Sequence, residues 1–206
     1  MTHIVRGMPR LYHREGAGRP PRVRWALEEA GAPYDYVVMD SEAASGEEHA
    51  RRHPLGRVPA LETDDGTLFE SAALCLHIAD LHPEAGLIPA SGTHERGEVY
   101  QWAFFAMTEL ETAMVRAYLA RRGSDAEATE KAEARMEKAA NVLADALDGR
   151  DYLVGNEFTI ADIVVGGVLE SARRYDLLPD SPVLRSYLER LDSRPAKQRA
   201  YEPTPV

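Results

Sequence analysis

The chain changes its pattern near Ser91, and that change constrains the fold more than any other feature. Before it, short β-like runs alternate with helical ones; after it, every long segment repeats its apolar residues at helical spacing. A period of two and a period of 3.6 cannot be exchanged within one segment, so two different architectures must follow one another. Leu11-Tyr12-His13 reads as a strand, and the loop at 15–19 leads into Pro20-Pro21, which suit the first turn of a helix where amide donors are free anyway. That helix runs to Ala30 and Gly31 stops it. Residues 34–39, rich in Val and Tyr, form a second strand. Residues 41–52 are polar and read as a loop plus a short helix, ended ahead of Pro54 because the residue before proline is pushed out of helical geometry. The runs 58–62 and 67–69 flank Thr63-Asp64-Asp65-Gly66, a hairpin signal. From Glu70 a helix runs toward His82 with Leu74, Ile78 and Leu81 on one face.

The resulting order, β-α-β-α-β-β-α, is that of a thioredoxin-like domain. Beyond the linker Pro89-Ala90-Ser91-Gly92, helical patterns cover 94–122, 125–147, 159–174 and 182–191, which implies an all-α bundle. Thr159 and Asp162 have the spacing of a capping box at the start of the third of these helices. The expected fold class is therefore α/β plus all-α, with a thioredoxin-like domain at 1–88 and a helical domain at 92–206. The two-proline tail, 202–206, is expected to be loose.

Composition removes whole classes of function. The single cysteine, Cys75, excludes an internal disulfide, a CxxC redox pair and a cysteine-rich zinc site. A net charge of −10 opposes a phosphate-binding surface, so no nucleic-acid partner is expected. The most apolar run, 163–169, is broken by Gly166 and Gly167 and is far too short to cross a membrane. Arg6, Arg10 and Arg14 stand among polar residues with no signal-peptide core, so a soluble, cytoplasmic protein is expected. Basic residues are almost all arginine, 21 against three lysines, a bias that points to a GC-rich bacterial genome.

Several residues carry chemistry in this order of elements. Pro59 stands inside a strand pattern, where proline belongs at an edge, and a cis Val58-Pro59 peptide there would hold the Val58 amide and carbonyl outward. Glu70 and Ser71 open a helix, where free amides attract an anion; the plainer reading is that Ser71 caps the helix and Glu70 complements its dipole. His49 and His53 have a metal-like spacing, but Pro54 takes His53 out of helical geometry, and both are expected to face solvent with no metal bound. Cys75, beside Leu74, is expected to be buried and inert.

Taken together, these segments resemble the cytosolic glutathione transferases. Arg22-Val23-Arg24-Trp25-Ala26-Leu27-Glu28-Glu29-Ala30-Gly31 looks like that family's first helix, and His53-Pro54-Leu55-Gly56-Arg57-Val58-Pro59-Ala60-Leu61 like its loop before the cis-proline strand. Phe69-Glu70-Ser71 resembles its glutathione-binding turn. Gln101-Trp102-Ala103-Phe104-Phe105 and Phe158-Thr159-Ile160-Ala161-Asp162 look like two helices of its second domain. The resemblance implies that glutathione, or a similar thiol, pairs with Val58 as an added strand. Its α-carboxylate would meet Ser71 and the helix start, and its α-amino group would meet Glu70. Arg57 and Pro59 complete the thiol-binding set. Trp102, Phe105, Met114 and Tyr118 would line an apolar acceptor pocket or serve as bundle core.

Catalysis by such a protein requires an ionised thiol near neutral pH. Lowering a thiol pKa of about 8.5 by roughly two units takes about 2.7 kcal/mol of preferential thiolate stabilisation. In the family a Tyr, Ser or Cys at the end of the first strand or the start of the first helix supplies it. Here the loop reads Gly16-Ala17-Gly18-Arg19-Pro20-Pro21, with Gly18 where a hydroxyl or thiol is expected. The substitutes are Tyr12, which also suits strand packing; His13, which also suits a polar filler; and Arg19, which also suits solvent. The resemblance implies conjugation of glutathione to small electrophilic apolar compounds, with glutathione as co-substrate, no other cofactor and a homodimer. The missing group favours the alternative, a non-catalytic ligand-binding or protein-interaction module of the same fold.

Overall fold

The computed structural model describes residues 7–203; Arg6 and residues 204–206 lie outside the described part. The chain divides into two compact units, one running to Gly86 and taking back the segment from Pro195 onward, the other spanning Leu87–Arg194.

The first unit holds a four-stranded mixed sheet in the order β2-β1-β3-β4, from β1 (Arg10–Arg14), β2 (Asp35–Met39), β3 (Ala60–Thr63) and β4 (Gly66–Phe69). β1 runs parallel to β2 and antiparallel to β3, and β3 antiparallel to β4. Alternation along the strands sorts the side chains. Tyr12, Met39 and Ala60 form a buried cluster on one face, joined by Val37, Ala44 and Val58, while Leu11 and Leu61 turn to the opposite face and are equally buried. α1 (Pro20–Ala30) and α4 (Ser71–Leu81) pack on each other. α1 begins with both prolines in its first turn and ends at Gly31, whose φ of 62° supplies the left-handed cap. The polar stretch before Pro54 is two short helices, α2 (Ser41–Ser45) and α3 (Glu47–Arg52); Asp40 caps the first by accepting the Ala43 N–H at 2.7 Å.

In the second unit α5 (His94–Phe105) runs through a π-helical segment, Ala106–Leu110, into α6 (Glu111–Arg121), followed by α7 (Ala126–Ala146), α8 (Ile160–Arg174) and α9 (Pro182–Asp192). Every residue of α8 from Ile160 to Leu169 is buried, as expected of a helix enclosed by its neighbours. Its start carries the capping box that the spacing predicts. The Asp162 carboxylate accepts from the Thr159 N–H at 2.8 Å, the Leu153 N–H at 3.1 Å and the Tyr187 hydroxyl at 2.8 Å.

Two features depart from the sequence reading. A further helix, α10 (Pro195–Tyr201), belongs with the first unit rather than with a helical domain running to 206. Glu202, expected in a loose tail, is held: Arg24 donates to its carbonyl at 3.0 Å and to that of Ala200 at 3.4 Å, and Arg199 pairs with Glu28 at 2.7 Å. Those partners lie more than 170 residues away in sequence, beyond the reach of local pattern. None of the described helices is long and apolar enough to cross a membrane.

Candidate functional site

Strand register gathers the first unit's candidates at one end of the sheet. Ala60 pairs with Phe69 and, on its other side, with Tyr12. Pro59 precedes Ala60, Glu70 follows Phe69 and His13 follows Tyr12, so the turn before β3, the end of β4 and the end of β1 lie at the same end of the sheet. The Val58-Pro59 peptide is cis. Among the described residues, the Val58 N–H and C=O have no backbone partner, which leaves a stretch of unpaired backbone ahead of β3 that an extended peptide can pair with.

The opposite wall is the start of α4. Glu70 is exposed and has a φ of 71°, a left-handed conformation that costs a residue with a side chain roughly 1–3 kcal/mol. It provides no side-chain cap, and the first helical bond runs from Leu74 N–H to the Glu70 carbonyl. Ser71 is 1% exposed and its Oγ is buried without a hydrogen-bond partner among the described residues. The plainer reading, Ser71 as a helix cap, therefore fails: the residue sits one position inside the helix and its hydroxyl bonds to nothing there. A buried unpartnered hydroxyl is costly. Together with the free amides of the first turn it makes a place for an anion's oxygens, and the Glu70 carboxylate stands ready for a cation.

The loop before Val58 is built by side chains that the sequence reading put in solvent. His49 is fully buried and His53 is 4% exposed, which corrects that expectation. His53 Nδ1 accepts the Leu55 N–H at 3.2 Å, its ring lies 4.8 Å from that of Phe69, and its carbonyl accepts the N–H of Gly56 at 2.8 Å. Gly56 has a φ of 58°, so this tight turn needs its glycine. Burial lowers the His53 pKa, opposed by the nearby Glu70 charge. His49 Nε2 lies 2.9 Å from the Arg57 carbonyl, while the Arg57 side chain is exposed. The misleading signal was the surrounding Glu47-Glu48 and Arg51-Arg52. α3 is amphipathic over barely two turns, too short for a period to be read.

The three substitutes for a catalytic group fare differently. Tyr12 is 5% exposed, donates its hydroxyl to Glu62 Oε2 at 2.9 Å and has the Arg52 guanidinium 4.2 Å from its ring centre. Burial and the bond to Glu62 raise its pKa. It packs the sheet, and its proton is already committed. His13 is half-buried, stacked on Tyr36 at 5.0 Å, with Nδ1 buried and unpartnered. Burial, then the Arg24 charge, lower its pKa, so it is neutral at pH 7 and brings no positive charge to a thiolate. Arg19 occupies the N-cap of α1 with helical backbone and no side-chain capping bond. Ahead of it, Gly16 at φ 77° completes a turn closed by the Ala17 N–H on the Arg14 carbonyl at 3.1 Å, and the loop presents Gly18 with neither hydroxyl nor thiol.

In the second unit Trp102 is buried, edge-on to half-buried Phe105 at 5.6 Å, and Met114 is 4% exposed core. Tyr118 keeps separate company: it packs on Tyr175 at 4.5 Å and accepts from Arg122 at 2.7 Å. Cys75 is buried, and desolvation pushes its thiol up to about 12, as an inert core cysteine requires. Among the described residues there is no group of three or more His, Cys, Asp or Glu side chains placed to hold a metal.

Residues 10–80 match the model of the glutathione S-transferase N-terminal domain, and residues 99–195 that of the C-terminal domain. The chain belongs to the glutathione S-transferase family. It is 28% identical to glutathione S-transferase GstA of Escherichia coli O157:H7 over 84% of its own length and 88% of that protein's. It superposes on a sphingomonad glutathione S-transferase, solved in complex with glutathione, with a TM-score of 0.80 and 31% identity, covering 93% of this chain and 96% of that one. It is also 35% identical to elongation factor 1-gamma of Trypanosoma cruzi, over 57% of this chain but only 28% of that protein. The two transferase domains coincide with the sheet-bearing segment and the helical bundle just described.

Proposed function

We propose that the protein binds glutathione and transfers its sulfur to small electrophilic apolar compounds in the cytoplasm. The observation that carries this reading is the buried, unpartnered Ser71 hydroxyl at a helix start without a side-chain cap, at the end of the sheet where Val58 leads into β3. The tripeptide backbone pairs with Val58, its α-carboxylate meets Ser71 Oγ and the first amides of α4, and its α-amino group meets Glu70. Arg57 and Pro59 shape the rim. The sphingomonad relative was solved in complex with glutathione, which supports glutathione as the ligand. The first unit leaves the apolar side chains of Leu55 and Phe69 66% and 40% exposed, in keeping with a homodimer.

Thiol activation is weak in this reading. Tyr12 is committed to Glu62, His13 is neutral, and Pro20 and Pro21 remove two of the amides a helix start would aim at a thiolate. Arg19 is the cation that the loop itself carries. The bound thiol therefore keeps a pKa within about one unit of its free value of about 8.5. Conjugation to a generic aromatic electrophile should be slow at neutral pH and rise steeply toward pH 9. A rate already at its plateau near pH 6.5 would contradict weak activation. The same bare loop favours a second reading, a non-catalytic ligand-binding or protein-interaction module of the same fold, and the partial match to elongation factor 1-gamma is in keeping with it. Glutathione binding without turnover at any pH would select that reading.

A further inference from the structure

His49 lies on α3 with its ring fully buried, tilted against Tyr12 at 6.5 Å between ring centres. Its Nε2 is 2.9 Å from the Arg57 carbonyl oxygen. A carbonyl only accepts, so Nε2 carries a proton and donates it. The ring's Nδ1 is buried without a partner among the described residues. A phenyl ring would fill the same space and bury no unpaired nitrogen. What the imidazole adds is a single N–H.

We propose that His49 is a positioning residue for glutathione: by holding the Arg57 carbonyl, it aims the Val58 N–H outward at the ligand backbone. The inference rests on the reading of the protein as a glutathione transferase given above. The Arg57–Val58 peptide is trans, since the cis bond is the next one along. A trans peptide is planar, with its C=O and N–H pointing opposite ways. Drawing the carbonyl toward α3 therefore turns the Val58 N–H away from it, and that N–H has no backbone partner among the described residues. Upstream, the loop closes itself through the His53 bonds to Leu55 and Gly56. Downstream, Val58 packs on the cluster of Tyr12, Met39 and Ala60. Between these anchors the orientation of one peptide plane remains to be set, and the His49 bond sets it. The ring keeps its place because Tyr12 is itself fixed to Glu62.

The test compares the wild-type chain with His49→Phe, which removes the donor, and His49→Gln, whose terminal amide still reaches the carbonyl. Calorimetric titration with glutathione, thermal unfolding, and separate KM values for glutathione and for an aromatic electrophile are measured. His49→Phe should weaken glutathione binding about tenfold and raise its KM alike, while kcat and the electrophile KM stay within about twofold and the unfolding midpoint does not fall. His49→Gln should bind within about threefold of wild type. If His49→Phe does not fold, His49→Asn takes its place: its shorter amide falls short of the carbonyl and should bind about tenfold more weakly than His49→Gln. Equal affinity of wild type and His49→Phe, a loss in His49→Gln matching that in His49→Phe, or equal affinity of the Gln and Asn variants would overturn the inference. A wild-type chain that binds no glutathione would overturn the transferase reading itself, an outcome distinct from wild type and variant binding alike.

Discussion

Ser71 is a buried side chain whose hydroxyl does nothing for the fold, and this separates its two possible roles by experiment. Deleting the Oγ leaves no donor or acceptor unsatisfied inside the protein, because none bonds to it. Ser71→Ala should therefore leave the thermal midpoint unchanged or slightly raised, and weaken glutathione binding by about 1–3 kcal/mol, the value of a hydrogen bond to a charged group. Unfolding scans and calorimetry on the same samples give both numbers; a destabilised variant of unchanged affinity would make Ser71 structural. The sequence pointed to Ser71, Glu70 and Val58 because each sits at an element boundary marked by local signals. It misplaced His49 and His53 because their burial comes from α3 folding down on the sheet, a long-range event that a polar hexapeptide does not announce.

Among the elements, α3 and α8 are each held by one buried or half-buried acid. Arg52 donates to Glu62 at 2.8 Å, joining α3 to β3, and Tyr12 donates to the same carboxylate. The Arg52 bond leads the causes that hold the Glu62 pKa below its usual value. A depressed carboxylate pKa means that the unfolded chain takes up the proton first, so the pair's stabilisation is present above about pH 4.3 and is lost as pH falls through the folded value. Glu62→Gln should consequently flatten the fall in stability below about pH 4, as followed by denaturant unfolding against pH; an unaltered slope would mean that the pair contributes nothing. For α8, Asp162→Ala strands the Leu153 N–H and the Tyr187 hydroxyl in the interior along with the lost cap. It should cost about 2–4 kcal/mol, read as a shift in the denaturant midpoint, while a change under about 1 kcal/mol would contradict the buried network. Thr159 and Asp162 were legible at three-residue spacing, but Tyr187 lies 25 residues on and was not.

At the scale of the whole chain, the switch of pattern near Ser91 reads directly into a sheet-bearing unit and a helical one, because periodicity is a local property of each segment. The return of α10 to α1 is not local. It depends on Arg24, Glu28 and Arg199 finding one another across most of the chain, and the short helix bearing Arg199 looks like any terminal turn. As a whole the molecule is proposed to bind glutathione at Val58, Glu70 and Ser71, although the loop at Gly18 offers neither hydroxyl nor thiol to activate it. Calorimetric titration of the 206-residue chain with glutathione at neutral pH measures this without asking for turnover. Saturable binding with one site per chain, weakened in Ser71→Ala, is expected. No heat and no saturation at millimolar glutathione, with the protein folded throughout, would contradict it.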